Sequence, residues 1–169
     1  MVGMFEERSP YQLQHSDFSN EVAIVCPKCK GKALVKGPGL YTDHVETLTY
    51  CVCLHCGYNQ KYPDKKADFV RTNSNGKVFE HRVYLLGGDV DPFFHHPLWY
   101  RASCLEDYLW AYNLPHLELI ENFIATKNRS RNGLPHKNNS IASRLPKWMS
   151  AAKNRATVLK CIRELKQKK

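Results

Sequence analysis

Two short cysteine turns, Cys26-Pro27-Lys28-Cys29 and Cys53-Leu54-His55-Cys56, stand 23 residues apart in this chain of 169 residues. A Cys-x-x-Cys turn aims two thiolates at one point while its backbone N–H groups point at the sulfurs, so each turn supplies half of a tetrahedral cage. Together they predict one structural Zn2+ held by Cys26, Cys29, Cys53 and Cys56. Four thiolates fill the coordination sphere and leave no position for water or substrate, so the expected role of the metal is to fold a ribbon. Gly31 and Gly57, just behind the second ligand of each turn, are the residues expected to allow the tight reversal.

Other uses of these cysteines fit less well. Disulfides need an oxidising compartment, and the segment Met1 to Arg8 has neither the basic start nor the apolar core of a secretory signal, which points to the cytoplasm. A redox dithiol would need only one such turn, opening a helix. Cys51 lies two residues before Cys53 on the same strand face; it is a substitute ligand or, more simply, a free thiol.

The flanking pattern is that of antiparallel strands. Val22 to Val25 feeds the first turn and Ala33 to Val35 leaves it, before Gly37-Pro38-Gly39 breaks the run. From Val45 to Val52 the residues alternate, with Leu48, Tyr50 and Val52 on one face and Thr47, Thr49 and Cys51 on the other. Tyr58 to Tyr62 completes the ribbon. Beyond the turn-rich stretch Pro63 to Lys66, an Asn75-Gly76 step between two short apolar runs predicts a hairpin, and Val83 to Leu86 adds to its second arm or forms another strand. Pro97 to Ser103 and Tyr108 to Tyr112 read as two aromatic strands extending the sheet, with core packing a simpler role for the aromatics than base stacking. In the loop Gly87 to Pro92, turn chemistry accounts for Asp89 and Asp91 without a cation. His95, His96 and Cys104 are candidates for a second metal site that lacks a clear fourth ligand.

From Asn113 the period becomes helical. Asn113 can cap, Pro115 suits the first turn, and Leu117, Ile120, Phe123 and Ile124 form one apolar stripe. Ser140 is placed to cap a short helix, Pro146 to start another, and Val158, Leu159, Ile162 and Leu165 to line the last, with Cys161 packed beside them. The expectation is an α+β protein: a zinc-ribbon antiparallel sheet extended by extra strands, with C-terminal helices. Its parts are a loosely ordered arm at 1–21, a zinc-ribbon β-domain with a covering helix at 22–126, and a basic helical segment at 127–169 packed on the same domain.

Residues 22–62 resemble the zinc ribbons of transcription factors and nucleic-acid enzymes. The run Leu109-Trp110-Ala111-Tyr112-Asn113 with His116-Leu117, then Ser143-Arg144-Leu145-Pro146-Lys147-Trp148-Met149 and Ala152-Lys153-Asn154-Arg155, is similar to a family of functionally uncharacterised bacterial zinc-ribbon proteins. Members of that family carry Cys-Cys-Gly before the Leu-Trp-Ala-Tyr-Asn run, where this chain has Cys104-Leu105-Glu106. The resemblance implies a fold and no activity.

Charge supplies the functional expectation. The formal net charge is +9, and residues 127–169 hold 13 Lys and Arg against the single acid Glu164, while residues 1–126 hold 12 basic and 15 acidic side chains. Such a segment suits phosphates, through Lys127, Arg129, Arg131, Lys137, Arg144, Lys147, Lys153 and Arg155, with Lys28, Lys30 and Lys32 adding contacts from the ribbon and His55 a surface residue beside them. DNA or RNA is thus the expected partner. The alternative is a protein-binding adaptor or an immunity-type inhibitor of a toxin, in which the basic face meets an acidic partner. No apolar stretch approaches a membrane span, and no His-Glu-x-x-His, nucleophile elbow or phosphate-cradling glycine loop is present, so neither a membrane nor turnover is expected.

Overall fold

A computed structural model describes residues 8–40, 48–62, 69–81 and 84–168; the strand start expected at 45–47, the turn at 63–66 and Val83 lie outside them. The architecture is α+β. A four-stranded antiparallel sheet in the order β1-β2-β3-β4 (Glu21–Val25, Lys32–Lys36, Tyr50–Val52, Asn59–Lys61) forms the ribbon. β3 alternates as its sequence does, and its buried face is that of Thr49 and Cys51, while Leu48 and Tyr50 point to solvent. Gly37 lies against Thr49 so closely that a Cβ there would overlap the Thr49 hydroxyl, which only glycine avoids.

The Asn-Gly hairpin is β5 (Phe69–Thr72) and β6 (Val78–His81). Its turn is held by Asn73 Oδ1, which accepts from the N–H groups of Asn75 and Lys77, with Gly76 at φ +73°. The aromatic pair is β7 (Tyr100–Cys104) and β8 (Asp107–Ala111). These added strands form two separate hairpins and not one continuous sheet. The approach to β7 nevertheless covers the open edge of β1: Trp99 N–H donates to Ala23 O, Val25 N–H to Pro97 O, and Ala23 N–H to Tyr112 O. An edge satisfied in this way presents no template for a further strand.

Asp91 is fully buried, and its carboxylate accepts from the N–H groups of Phe93, Phe94 and His96, while Asp89 pairs with Arg101 at 2.6 Å. Turn chemistry accounts for Asp91, whereas Asp89 is explained by its ion pair with Arg101. Burial pushes the Asp91 carboxyl up despite the three N–H groups that favour its charged form.

The helices follow their sequence signals. α1 (Leu114–Ala125) is capped by Asn113, whose side chain accepts from His116 N–H at 3.0 Å, and it buries Leu117, Ile120, Phe123 and Ile124. Ser140 caps α2 (Ile141–Arg144), Pro146 precedes α3 (Lys147–Ser150), and α4 (Arg155–Lys166) turns Val158, Ile162 and Leu165 into the core against α1 and β7. Burying three such side chains contributes on the order of 5 kcal/mol.

Two further placements differ from the sequence expectation. Residues 8–20, which show no period, are tied into the core by Leu13, completely buried, and Phe18, 1% exposed, with a 3-10 turn at His15–Phe18 between them. Asn113 Nδ2 donates to Phe18 O and Glu21 O, and Leu13 O accepts from Ile141 N–H, so the segment is fixed by long-range polar contacts that local periodicity does not encode. Second, Cys104 at the end of β7 is disulfide-bonded to Cys161 on α4, with Cα atoms 6.2 Å apart. Cys104 is therefore no metal ligand and Cys161 no free thiol. His96 meanwhile stacks on Phe94 with ring planes 4° apart.

The disulfide closes a separation of 57 residues, so in oxidised, zinc-loaded protein Cys161→Ser should lower the unfolding free energy by roughly 2–4 kcal/mol. Urea denaturation without reductant measures this, and equal stability of the two proteins would contradict the linkage. A second expectation concerns His15, whose ring packs against Trp110 and His116. Burial, then the nearby Arg144 cation, lowers its pKa from 6.5 to about 4. As pH falls from 6.5 to 4 the unfolded chain takes up a proton that the folded one refuses, so stability is lost across that window. The stability advantage of the wild type over His15→Gln should shrink by about 2 kcal/mol between pH 7 and 4.5.

Candidate metal centre and the basic segment

The register of the ribbon brings the two cysteine turns together. Val25 pairs with Lys32 and Leu34 with Val52, so the ends of β1 and β3 emerge at the same end of the sheet, each running directly into a Cys-x-x-Cys turn. The turns repeat one hydrogen-bond pattern. Cys26 N–H donates to Gly31 O and Lys30 N–H to Cys26 O; Cys53 N–H donates to Tyr58 O and Gly57 N–H to Cys53 O.

The four ligand atoms all lie within 4.8 Å of one another, and the Cys26–Cys56 and Cys29–Cys53 sulfur pairs are each 3.7 Å apart. A tetrahedron with Zn–S bonds of about 2.3 Å has edges of about 3.8 Å, so the sulfurs stand where a metal would hold them. Cys26 and Cys53 are buried and Cys29 and Cys56 partly so, which puts the centre at the base of the ribbon with one side toward solvent. Burial opposes ionisation of Cys26, but the N–H groups of Cys29 and Lys28 and the neighbouring sulfurs outweigh it and pull the thiol down to about 6. At Cys29 the Gly31 N–H favours the thiolate, yet burial and the sulfurs of Cys56, Cys26 and Cys53 push it up to about 12. Like-charged sulfurs this close cannot all ionise without a cation between them, which is the electrostatic case for a metal. Among the described residues these four form the one group of His, Cys, Asp or Glu side chains arranged to hold a metal. Cys51 is completely buried, outside that group, with its thiol pushed up to about 12 by burial and nearby negative charge.

The left-handed residue in the first turn is Lys30, at φ +63°, equivalent in position to Gly57 at φ +70°. Gly31, expected to supply the reversal, sits at an ordinary φ, and a Cβ on it would meet only Cys29 Sγ at 3.5 Å. The first turn thus carries a lysine where the backbone favours glycine.

The basic residues fall into two groups. Arg129 is turned inward: Nε donates to Phe123 O and Thr126 O, Nη1 to Ser150 O at 2.6 Å, and Nη2 to Ile124 O, with the guanidinium over the Phe123 ring. Arg155 Nε donates to Ile124 O at 3.1 Å. Both arginines therefore satisfy the carbonyls left open at the C-terminus of α1, where the helix dipole also favours a cation. A basic residue four positions past a helix end was the available sequence signal for Arg129; Arg155 gave none. Arg131 lies over Tyr11, and Arg144 Nε donates to Asn138 O. Lys127, Lys137, Lys147 and Lys153 are exposed, as are Lys28, Lys30 and His55 in the ribbon turns, whereas Lys32 donates to the Tyr100 hydroxyl. Further along, Lys166 pairs with Glu121 and Glu118. Among the described residues no helix is long and apolar enough to cross a membrane.

No family model, curated protein or solved structure matches the chain.

The turn geometry makes a direct prediction. Lys30→Gly should stabilise the zinc-loaded protein by up to about 1 kcal/mol and Gly57→Ala should cost about 1 kcal/mol, while Gly31→Ala is near neutral. Thermal unfolding of the three variants at saturating zinc checks it; a Gly31→Ala cost exceeding that of Gly57→Ala would place the reversal at the wrong residue.

Proposed function

We propose that this chain is a non-catalytic binding protein in which one Zn2+, held by Cys26, Cys29, Cys53 and Cys56, rigidifies the ribbon, and in which exposed cations of the C-terminal segment bind the phosphates of DNA or RNA. The metal half of the reading is supported by the 3.7 Å sulfur pairs, and a sphere closed by four thiolates leaves the ion structural. The partner half is supported by one observation: Lys127, Lys137, Lys147 and Lys153 are all exposed in a segment whose single acid is Glu164. Of the arginines in that segment, Arg129 and Arg155 belong to the scaffold, which narrows the phosphate-binding set to these lysines with Arg131 and Arg144.

A protein partner is the second reading, favoured by the β5–β6 hairpin, on which Val70, Val78 and Phe79 are 60%, 59% and 40% exposed. The two readings separate by salt. Changing Lys127, Lys137, Lys147 and Lys153 together to Gln should weaken duplex binding in a fluorescence-anisotropy titration and reduce the slope of log K against log salt by about 3–4. Arg129→Gln should instead lower thermal stability with little change in that slope. Binding that is absent, or insensitive to the four substitutions, would discard nucleic acid as the partner.

A further inference from the structure

A cavity of about 440 Å³, lined by none of the cysteines, lies where five parts of the chain meet: the 3-10 turn, the Leu86-Gly87 loop, β8, α1 and the segment from Asn139 to Met149. It falls within the roughly 300–1,000 Å³ typical of small-molecule sites. Its walls are held by bonds distant in sequence: Ile141 N–H to Leu13 O, Gly87 N–H to the Tyr112 hydroxyl at 2.9 Å, and Asn139 Nδ2 to Gln14 Oε1 at 2.9 Å. The Leu109-to-His116 run and the Ser143-to-Met149 run, far apart in sequence, both line it.

The chemistry of the walls is one-sided. Ile120, Ile141 and Met149 supply an apolar floor beside Trp110, and no described lining residue is acidic. Three of the polar lining groups, Arg144, Gln14 and His116, can donate. Arg144 lines the cavity with only its Nε engaged by a backbone carbonyl, leaving its Nη groups to bind an anion. Gln14 accepts from Asn139 through Oε1, so its amide nitrogen is left to donate. His116 also lines the cavity and is 1% exposed; Tyr112 N–H donates to its Nδ1 at 3.2 Å, which places the ring proton on Nε2, and that nitrogen has no hydrogen-bond partner. An unpartnered buried donor costs stability unless something accepts from it.

We propose that this cavity binds a small organic anion, a carboxylate or phosphate monoester on a flat apolar body, with the anion against Arg144 and Gln14 and the body over Ile120, Ile141 and Met149 beside Trp110. Arg144 is shared with the phosphate-binding set, but none of Lys127, Lys137, Lys147 and Lys153 lines the cavity, so the four-lysine variant should lose duplex binding and keep the small anion, and either reading can fail alone. The test is an NMR titration of the zinc-loaded protein with phenyl phosphate, benzoate, inorganic phosphate and the neutral benzyl alcohol, following the indole N–H resonances. Phenyl phosphate or benzoate should give saturable shifts at Trp110 that Trp99 does not share, with inorganic phosphate and benzyl alcohol each at least about tenfold weaker. Arg144→Gln should weaken the anion by about tenfold or more, and Gln14→Ala by a smaller factor, with the wild-type spectrum otherwise retained. Absence of saturable shifts with both anions, or undiminished affinity in Arg144→Gln, would overturn the assignment.

Discussion

Four sulfurs at one end of a short sheet decide how the rest of this protein is assembled. Each strand of the ribbon is three to five residues long, too short to hold its register by hydrogen bonds alone. A metal held by thiolates from the ends of β1 and β3 would contribute on the order of 10 kcal/mol and lock both turns to each other. With β1 fixed, its outer edge becomes the docking line for Pro97 to Trp99 and for Tyr112, which sets the position of the β7–β8 hairpin and, through Asn113, the start of α1.

The positive charge of the C-terminal segment is divided between two physical roles that composition cannot separate. Arg129 and Arg155 close the carbonyl end of α1, where four C=O groups have no helical partner, and Lys166 is drawn into a pair with Glu121. The lysines at 127, 137, 147 and 153 instead face solvent. Arginine suits the first role because its planar fork can bridge several carbonyls at once, as Arg129 does, whereas an ammonium is a point charge that hydrates easily.

A second constraint sits behind α1. Phe18 stacks on His116 at 4.7 Å, and His15, Trp110 and Tyr112 pack around the same imidazole. Burial keeps His116 neutral, with its pKa well below the ordinary value. This ring cluster joins the N-terminal segment to β8 and α1, and the Cys104–Cys161 bond ties β7 to α4 on another side. Leu13, Phe18 and Ser19 of the N-terminal segment are thus buried, although nothing in its local pattern says so.

What could be read directly from the residues was whatever is encoded over a few positions. The paired cysteine turns, the Asn-Gly hairpin, the Asn113 and Ser140 caps and the apolar stripes of α1 and α4 all follow from local spacing and backbone chemistry, and all appear where the pattern places them. Contacts between distant positions had to wait for the fold: the Cys104–Cys161 linkage, the inward turn of Arg129 and Arg155, the burial of Leu13, Phe18 and His116, and the cavity that His116 lines. Even the first cysteine turn shows the division, since the need for a reversal was legible while its location on Lys30, not Gly31, was set by the hydrogen bonds that close the turn. Local sequence determines which bonds a segment can make with itself; which distant groups meet depends on how the assembled strands and helices leave their polar groups and apolar faces to be covered.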